Sequence, residues 1–166
     1  MPDQPEVSVA YLGLGSNVDA HAHITAGIEE LRKTFGYVGL SPVYRTPAVG
    51  FEGNSFINLV AVVETTMQPV ELKRYLNDLE DRHGRRRNVA KFSDRTLDID
   101  ILIYDDLYLM SPVLEIPRRE IMTFSHVLKP LADLAPDLVH PVARKAMADI
   151  WRDFSGDRDG LELIEL

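Results

Sequence analysis

Thr96-Leu97-Asp98-Ile99-Asp100-Ile101-Leu102-Ile103-Tyr104 carries the clearest alternation in the chain. Successive side chains of a strand point to opposite faces, so Leu97, Ile99, Ile101 and Ile103 are expected to point one way and Asp98 and Asp100 the other. Upstream, Pro69 suits the first turn of a helix that carries Val70, Leu72, Leu76 and Leu79 inward and stops near Gly84. Before it, Phe56–Thr65 and Val38–Arg45 read as strands, separated by a loop rich in glycine and proline (Thr46 to Asn54). At the start, Val7–Leu14 reads as a buried strand, Gly13-Leu14-Gly15-Ser16-Asn17 as a turn, and Ala20 onward as a helix with Ile24, Ile28, Leu31 and Phe35 on one face, ended by Gly36. Downstream, helices are expected over Ser125–Leu134 and Ala143–Phe154. The order strand–helix–strand–strand–helix–strand is that of the split-βαβ, ferredoxin-like α+β plan, a largely antiparallel sheet with helices packed on its faces.

The chain has 166 residues, enough for one domain with a substantial core, and nothing in it reads as a linker or a repeat. We expect residues 1–6 to form a flexible tail and residues 7–166 a single domain. The absence of cysteine removes disulfides, iron–sulfur clusters, thiolate zinc and a cysteine nucleophile together, and suits a reducing compartment. No apolar run approaches the roughly 20 residues that span a bilayer. A net charge of -8 argues against general nucleic-acid binding. Yet Arg82, Arg85, Arg86, Arg87, Lys91 and Arg95 crowd one short stretch. Such an island holds a small polyanion or, in the plainer reading, forms a solvated helix end.

Aspartate is depleted in strands, and two like charges side by side repel. A hard divalent cation resolves the conflict, since magnesium takes carboxylate and phosphate oxygens together. An edge strand with a charged, solvated outer face is the alternative. Arg95 and the basic island just ahead favour metal and phosphate in one place, where cation and arginines jointly neutralise a triphosphate. Other motifs are weaker. Gly13-Leu14-Gly15 lacks the third glycine of a dinucleotide fingerprint, and no P-loop is present. His21 and His23 do not share a helix face, and His83 and His140 offer no pattern.

Tyr11-Leu12-Gly13-Leu14-Gly15-Ser16-Asn17, Tyr44-Arg45-Thr46-Pro47, Asn58, Arg95-Thr96-Leu97-Asp98-Ile99-Asp100-Ile101-Leu102, Val127-Leu128-Lys129-Pro130-Leu131 and Leu134-Ala135-Pro136 together resemble the 6-hydroxymethyl-7,8-dihydropterin pyrophosphokinases of folate synthesis. The match runs in order over nearly the whole chain. The resemblance implies a magnesium-dependent diphosphotransferase in which the pterin hydroxymethyl oxygen attacks the β-phosphorus of ATP and AMP leaves. It implies two Mg2+ ions held by Asp98 and Asp100, with Arg85 and Arg95 also in the catalytic set. On the ATP side it implies Glu80, Arg85, Arg87, Arg95, Ile101 and Arg118. On the pterin side it implies Thr46, Pro47, Phe56, Asn58, Phe92 and His126, with Phe56 stacking and Asn58 meeting the amide edge. It further implies a cytoplasmic monomer whose partners are ATP and the pterin alcohol, with neither nucleic acid nor membrane.

One segment departs from the resemblance. Where that family usually has a histidine after Ile116-Pro117 and an arginine six residues on, this chain has Arg118 and Phe124. A stacking phenylalanine is replaced by His126, and a tryptophan before the Arg-Thr-Leu-Asp string by Phe92. The expectation is an active but slower enzyme. Its competitors are a diverged paralogue that binds nucleotide or pterin without efficient transfer, and a ferredoxin-like domain acting through protein contacts alone.

Overall fold

In the computed structural model, which describes residues 6–48, 53–84 and 96–166, the sheet is built around β1 (Ser8–Ser16). This strand pairs antiparallel with β4 (Phe56–Thr65) on one side and β5 (Asp98–Tyr104) on the other. Beyond β4 lie β2 (Val38–Leu40) and β3 (Val43–Thr46), and β8 (Glu162–Ile164) closes the far edge on β3. The path β5-β1-β4-β3 with α1 (Ala20–Phe35) and α2 (Pro69–Arg82) as crossovers is the ferredoxin-like arrangement.

Two cores sandwich the sheet. On one face α1 and α2 bury Ile24, Ile28, Leu31, Leu72, Leu76 and Leu79 against Leu12, Leu14, Leu59, Ile99 and Ile101. Each such side chain stabilises the fold by about 1.5–3 kcal/mol relative to exposure. Helix α2 starts as expected. Gln68 and Glu71 form a reciprocal capping box ahead of Pro69, whose missing N–H is no loss in a first turn. Gly36 ends α1 at φ 80°, its N–H on the Arg32 carbonyl. On the other face α3 (Glu120–Thr123), α4 (Ser125–Leu134) and α5 (Met147–Asp153) bury Ile121, Leu128, Leu131, Met147 and Ile150 against Val60, Leu102 and Ile103.

Several local expectations need correction. Gly13 and Gly15 are not a turn, since β1 continues through Ser16 with both neighbours paired to it. The expected strand over Val38–Arg45 is two strands interrupted at Ser41-Pro42, because proline has no N–H to give a ladder. Ser41 bridges the gap, donating its N–H to the Val60 carbonyl and accepting the Val60 N–H on Oγ, both at 2.8 Å. Ile103 does not share a face with Ile99 and Ile101. The β1–β5 register slips between Tyr11 and Leu12, leaving Leu102 as the extra residue of a bulge that turns Ile103 to the second core and Tyr104 to the first. Val70 is exposed. The last helix is shorter than expected, since residues 141–146 are held in a turn by the His140 ring.

Candidate active site

Antiparallel register lines up the key positions. Asp98 on β5 is opposite Gly15 on β1, Gly15 is opposite Asn58 on β4, and Asn58 is opposite Tyr44 on β3. The next row places Asp100 opposite Gly13. With neighbouring strands about 4.8 Å apart, the strands bearing Asp98 and Asn58 are separated by about 10 Å. Between them β1 shows glycine twice. A methyl on Gly15 would sit 3.2 Å from Asn58 Oδ1 and 4.0 Å from Phe56, and one on Gly13 would sit 3.3 Å from Leu102. At Gly15 the sheet thus has a shallow floor of bare backbone, with carboxylates at one side and an amide at the other, while the Leu102 side chain covers Gly13.

Asp98 and Asp100 are half-buried and point away from the core that holds Ile99 and Ile101. Asp100 is pushed up to about 6, first by burial and then by the neighbouring Asp98 charge, against the pull of Arg118 and Lys73. Two crowded oxygen donors are a set that suits a hard dication. Magnesium binds through one or two carboxylates and fills its other positions with water and phosphate. Among the described residues no group of three histidines or carboxylates converges. The residues present fit Mg2+.

The amide side is ordered. Asn58, 8% exposed, donates through Nδ2 to Thr46 Oγ1 at 2.8 Å, which leaves its carbonyl oxygen turned toward Gly15. Phe56 is half-buried one strand position away on the same face. Pro47 lies under Gly160 of the C-terminal segment, where a methyl would come within 3.2 Å of its ring.

On the carboxylate side a cleft of about 410 Å³ is lined by Lys73 of α2, by Arg118 and Glu120, and by the hairpin of β6 (Leu109–Met110) and β7 (Glu115–Ile116). Arg118 reaches Asp100 at 3.9 Å. Lys73 is a contributor that sequence reading missed. It stands with Asn77 and Glu80 on a stripe at helical spacing that flanks the leucine face of α2, and the stripe runs from half-buried at Lys73 to buried at Glu80. Glu80 is 2% exposed and accepts the Ile99 N–H at 2.8 Å, so it braces β5 between the two aspartates. The Ile101 side chain is 1% exposed in the first core, on the face opposite Asp100. His126 stacks on Phe124, ring centroids 5.2 Å apart, at the start of α4. Arg85, Arg87, Phe92 and Arg95, with Arg86 and Lys91, lie outside the described residues. His23 and His83, given no pattern by the sequence, meet through their Nδ1 atoms at 3.0 Å.

The family profile described as 7,8-dihydro-6-hydroxymethylpterin-pyrophosphokinase matches residues 11–136, three quarters of the chain, from within β1 to just past the end of α4. The chain belongs to this family. Within it, the chain is 35% identical over 162 residues to the 2-amino-4-hydroxy-6-hydroxymethyldihydropteridine pyrophosphokinase of Methylorubrum extorquens, covering 94% of this chain and 98% of the relative. It is 33% identical over 145 residues to the protein of that name from Aquifex aeolicus, covering 86% and 90%. It is 35% identical over 145 residues to the folic acid synthesis protein fol1 of Schizosaccharomyces pombe, covering 85% of this chain but only 20% of that longer protein. A crystal structure of a Plasmodium falciparum HPPK-DHPS variant with pterin and p-hydroxybenzoate superposes with a TM-score of 0.74 at 14% identity, over 97% of this chain and 47% of that one. At that identity it speaks for the shared fold, and this pyrophosphokinase-family chain spans under half its length. No helix among the described residues is long and apolar enough to cross a membrane.

Proposed function

We propose that this chain transfers a diphosphate from ATP to the hydroxymethyl group of 6-hydroxymethyl-7,8-dihydropterin, releasing AMP, as a step of folate synthesis. The observation that carries the reading is the cross-strand row Asp98, Gly15, Asn58, which offers a cation-binding end, a bare floor and an amide end on one sheet face. The pterin lies on the glycine floor with its amide edge at Asn58 and its ring against Phe56, and Thr46 fixes the Asn58 amide. Its hydroxymethyl arm points toward β5. The triphosphate enters from the cleft of Lys73 and Arg118, and Ile101 meets the nucleotide only through its main chain.

In the reaction the alcohol oxygen forms a bond to the β-phosphorus, the bridging bond to the α-phosphate breaks, AMP leaves with the bridging oxygen, and the alcohol proton passes to solvent. Asp98 and Asp100 would hold Mg2+, two ions in our reading. When bound, this cation supplies charge neutralisation and orientation of the phosphates. Arg118 adds a permanent positive charge beside Asp100. The catalytic and nucleotide roles of Arg85, Arg87 and Arg95, and the pterin roles of Phe92, Pro47 and His126, are part of the same proposal. So are a monomeric state and a cytoplasmic location.

The test is steady-state AMP release from ATP and the pterin alcohol with Mg2+. We expect activity in the parent chain. In Asp98→Ala and in Asp100→Ala we expect AMP release at least a hundredfold lower, about the loss that removal of a preorganised charge-stabilising group causes, with the thermal midpoint unchanged or raised. Near-parental turnover in either variant would remove the metal assignment.

A further inference from the structure

Arg118 does not hang loosely over the carboxylates. Its backbone N–H donates to the Leu102 carbonyl at 3.0 Å, which pins the loop to β5 two residues beyond Asp100. Its guanidinium is gripped on one edge by Glu120, Nε donating to Oε2 at 3.1 Å and Nη2 to Oε1 at 3.0 Å. That is the two-bond fork in which an arginine loses its rotational freedom. The remaining nitrogen, Nη1, is left 3.9 Å from Asp100 Oδ1, beyond hydrogen-bonding distance. All three side chains are similarly recessed, at 27, 30 and 26% exposure for Arg118, Asp100 and Glu120, so solvent does not fully screen them. The adjacent Arg119, at the rim of the same cleft, is paired with Glu115 at 2.6 Å and far more exposed than Arg118.

We propose that Glu120 is a positioning residue of the nucleotide side. Its carboxylate holds the Arg118 fork so that Nη1 faces the phosphate cleft while staying off Asp100. Two consequences follow from the geometry. Aimed by Glu120, Arg118 presents a directed donor to a phosphate oxygen without first ordering a long side chain. Restrained by Glu120, it does not collapse onto Asp100 and neutralise a carboxylate needed for a cation. An untethered arginine at this position would do both things badly. This inference rests on the diphosphate-transfer reading and deepens it. It concerns residues in which the chain departs from the histidine expected after Ile116-Pro117.

The test is calorimetric titration of the parent, Glu120→Ala, Glu120→Gln, Arg118→Ala and the double Glu120→Ala/Arg118→Ala chain. The titrant is a non-hydrolysable ATP analogue with Mg2+, and steady-state AMP release is measured in parallel. A charge-assisted pair lost from a partly buried site predicts affinity for the Mg2+–analogue complex about tenfold or more lower in Glu120→Ala, with Glu120→Gln intermediate because it keeps one acceptor. KM for ATP rises in step while KM for the pterin alcohol stays within about twofold, and the thermal midpoints show each variant folded. The deciding comparison is the double variant. If Glu120 acts through Arg118, removing it from Arg118→Ala changes analogue affinity by less than about twofold. Losses that add in the double variant, or equal rises in both KM values, would overturn the assignment while leaving the transfer reading intact. A folded parent that binds the analogue but releases no AMP would overturn the transfer reading and the assignment built on it.

Discussion

At the scale of single residues, two glycines do more than any charged group to decide what can lie on this sheet. In a central strand paired on both sides, glycine weakens packing and gains nothing from backbone freedom, so its presence marks a place where something approaches the backbone closely. Gly15 is the sharper case, because the atom a methyl would crowd is the Asn58 carbonyl at 3.2 Å. Asn58 cannot simply turn aside, since its Nδ2 is held by Thr46 in a buried bond of 2.8 Å. On the proposed reading, Gly15→Ala is expected to weaken pterin binding about tenfold or more, by displacing the amide proposed to meet the pterin edge. Affinity for Mg2+ and ATP analogue should remain near that of the parent, and calorimetry with each ligand separately checks both. Loss of nucleotide affinity with pterin affinity kept would put the pterin elsewhere on the sheet. Gly13→Ala makes a useful contrast. Its neighbour is the flexible end of Leu102, at 3.3 Å, which can give by a few tenths of an ångström.

At the scale of elements, β5 is the edge strand that carries the two aspartates proposed to hold the cation, and a buried side chain caps its backbone between them. Glu80 on α2 accepts the Ile99 N–H between the two aspartates. Glu80→Ala leaves that amide without its acceptor, a loss of about 1–3 kcal/mol, whereas Glu80→Gln keeps a carbonyl oxygen for it. Urea denaturation should show the alanine chain destabilised by that amount and the glutamine chain recovering most of it. ATP-analogue affinity unchanged in Glu80→Gln would assign the residue to the strand. A large loss of affinity in that folded variant would support the expected role of Glu80 on the ATP side. Elements with strong periodicity are legible in the amino-acid sequence: α1, α2, β4 and the start of α4 fall where spacing and caps place them. The misreadings share a cause. Gly13-Leu14-Gly15, read locally, is a turn, and only pairing with two distant strands makes it a strand. The Leu102 bulge is invisible to a period-two pattern because its immediate neighbours, Ile101 and Ile103, are as apolar as Leu102 itself. The hairpin of β6 and β7, the four residues of α3 and the edge strand β8 are too short to show a period at all. The aspartate pair is legible for the opposite reason, since charge in an apolar strand breaks the pattern. Lys73 and Glu120 are not, because a lone lysine or glutamate on a helix looks like any solvated residue until the fold turns it toward a cleft.

At the scale of the whole molecule, polar groups whose protonation is coupled to folding set how stability responds to acid. His140 is the clearest of them. It is 4% exposed, and its Nδ1 accepts the N–H groups of Val142 and Ala143 at 3.1 and 3.0 Å, shaping the turn that leads into α5. A proton on Nδ1 would remove both bonds, and burial in any case holds this ring below the usual histidine range. His126 is lowered by burial, and His83 first by burial and then by the charge of His23. For each, the unfolded chain takes up its proton first, near the ordinary value of about 6.5. Between there and the lower folded value the unfolded state binds more protons, so stability falls as pH is lowered through this window. Asp100 runs the other way. Its folded value is raised to about 6, so between that point and the ordinary carboxylate range the folded state binds the extra proton and gains stability as pH falls. As pH falls the histidine loss sets in first, at about 6.5, and the Asp100 gain opposes it from about 6 downward. The expected result is a thermal midpoint that begins to decline as pH is lowered from 7.5 through about 6.5. His140→Asn separates the contribution of this ring, because an asparagine Oδ1 can accept the same two N–H bonds and does not titrate. That variant should match the parent within about 0.5 kcal/mol at pH 7.5, the range of a substitution that keeps its contacts, and exceed it at pH 5.5. A parallel decline in the two chains would mean that His140 is protonated in the folded state without breaking the turn, and that the acid sensitivity arises in the other two rings.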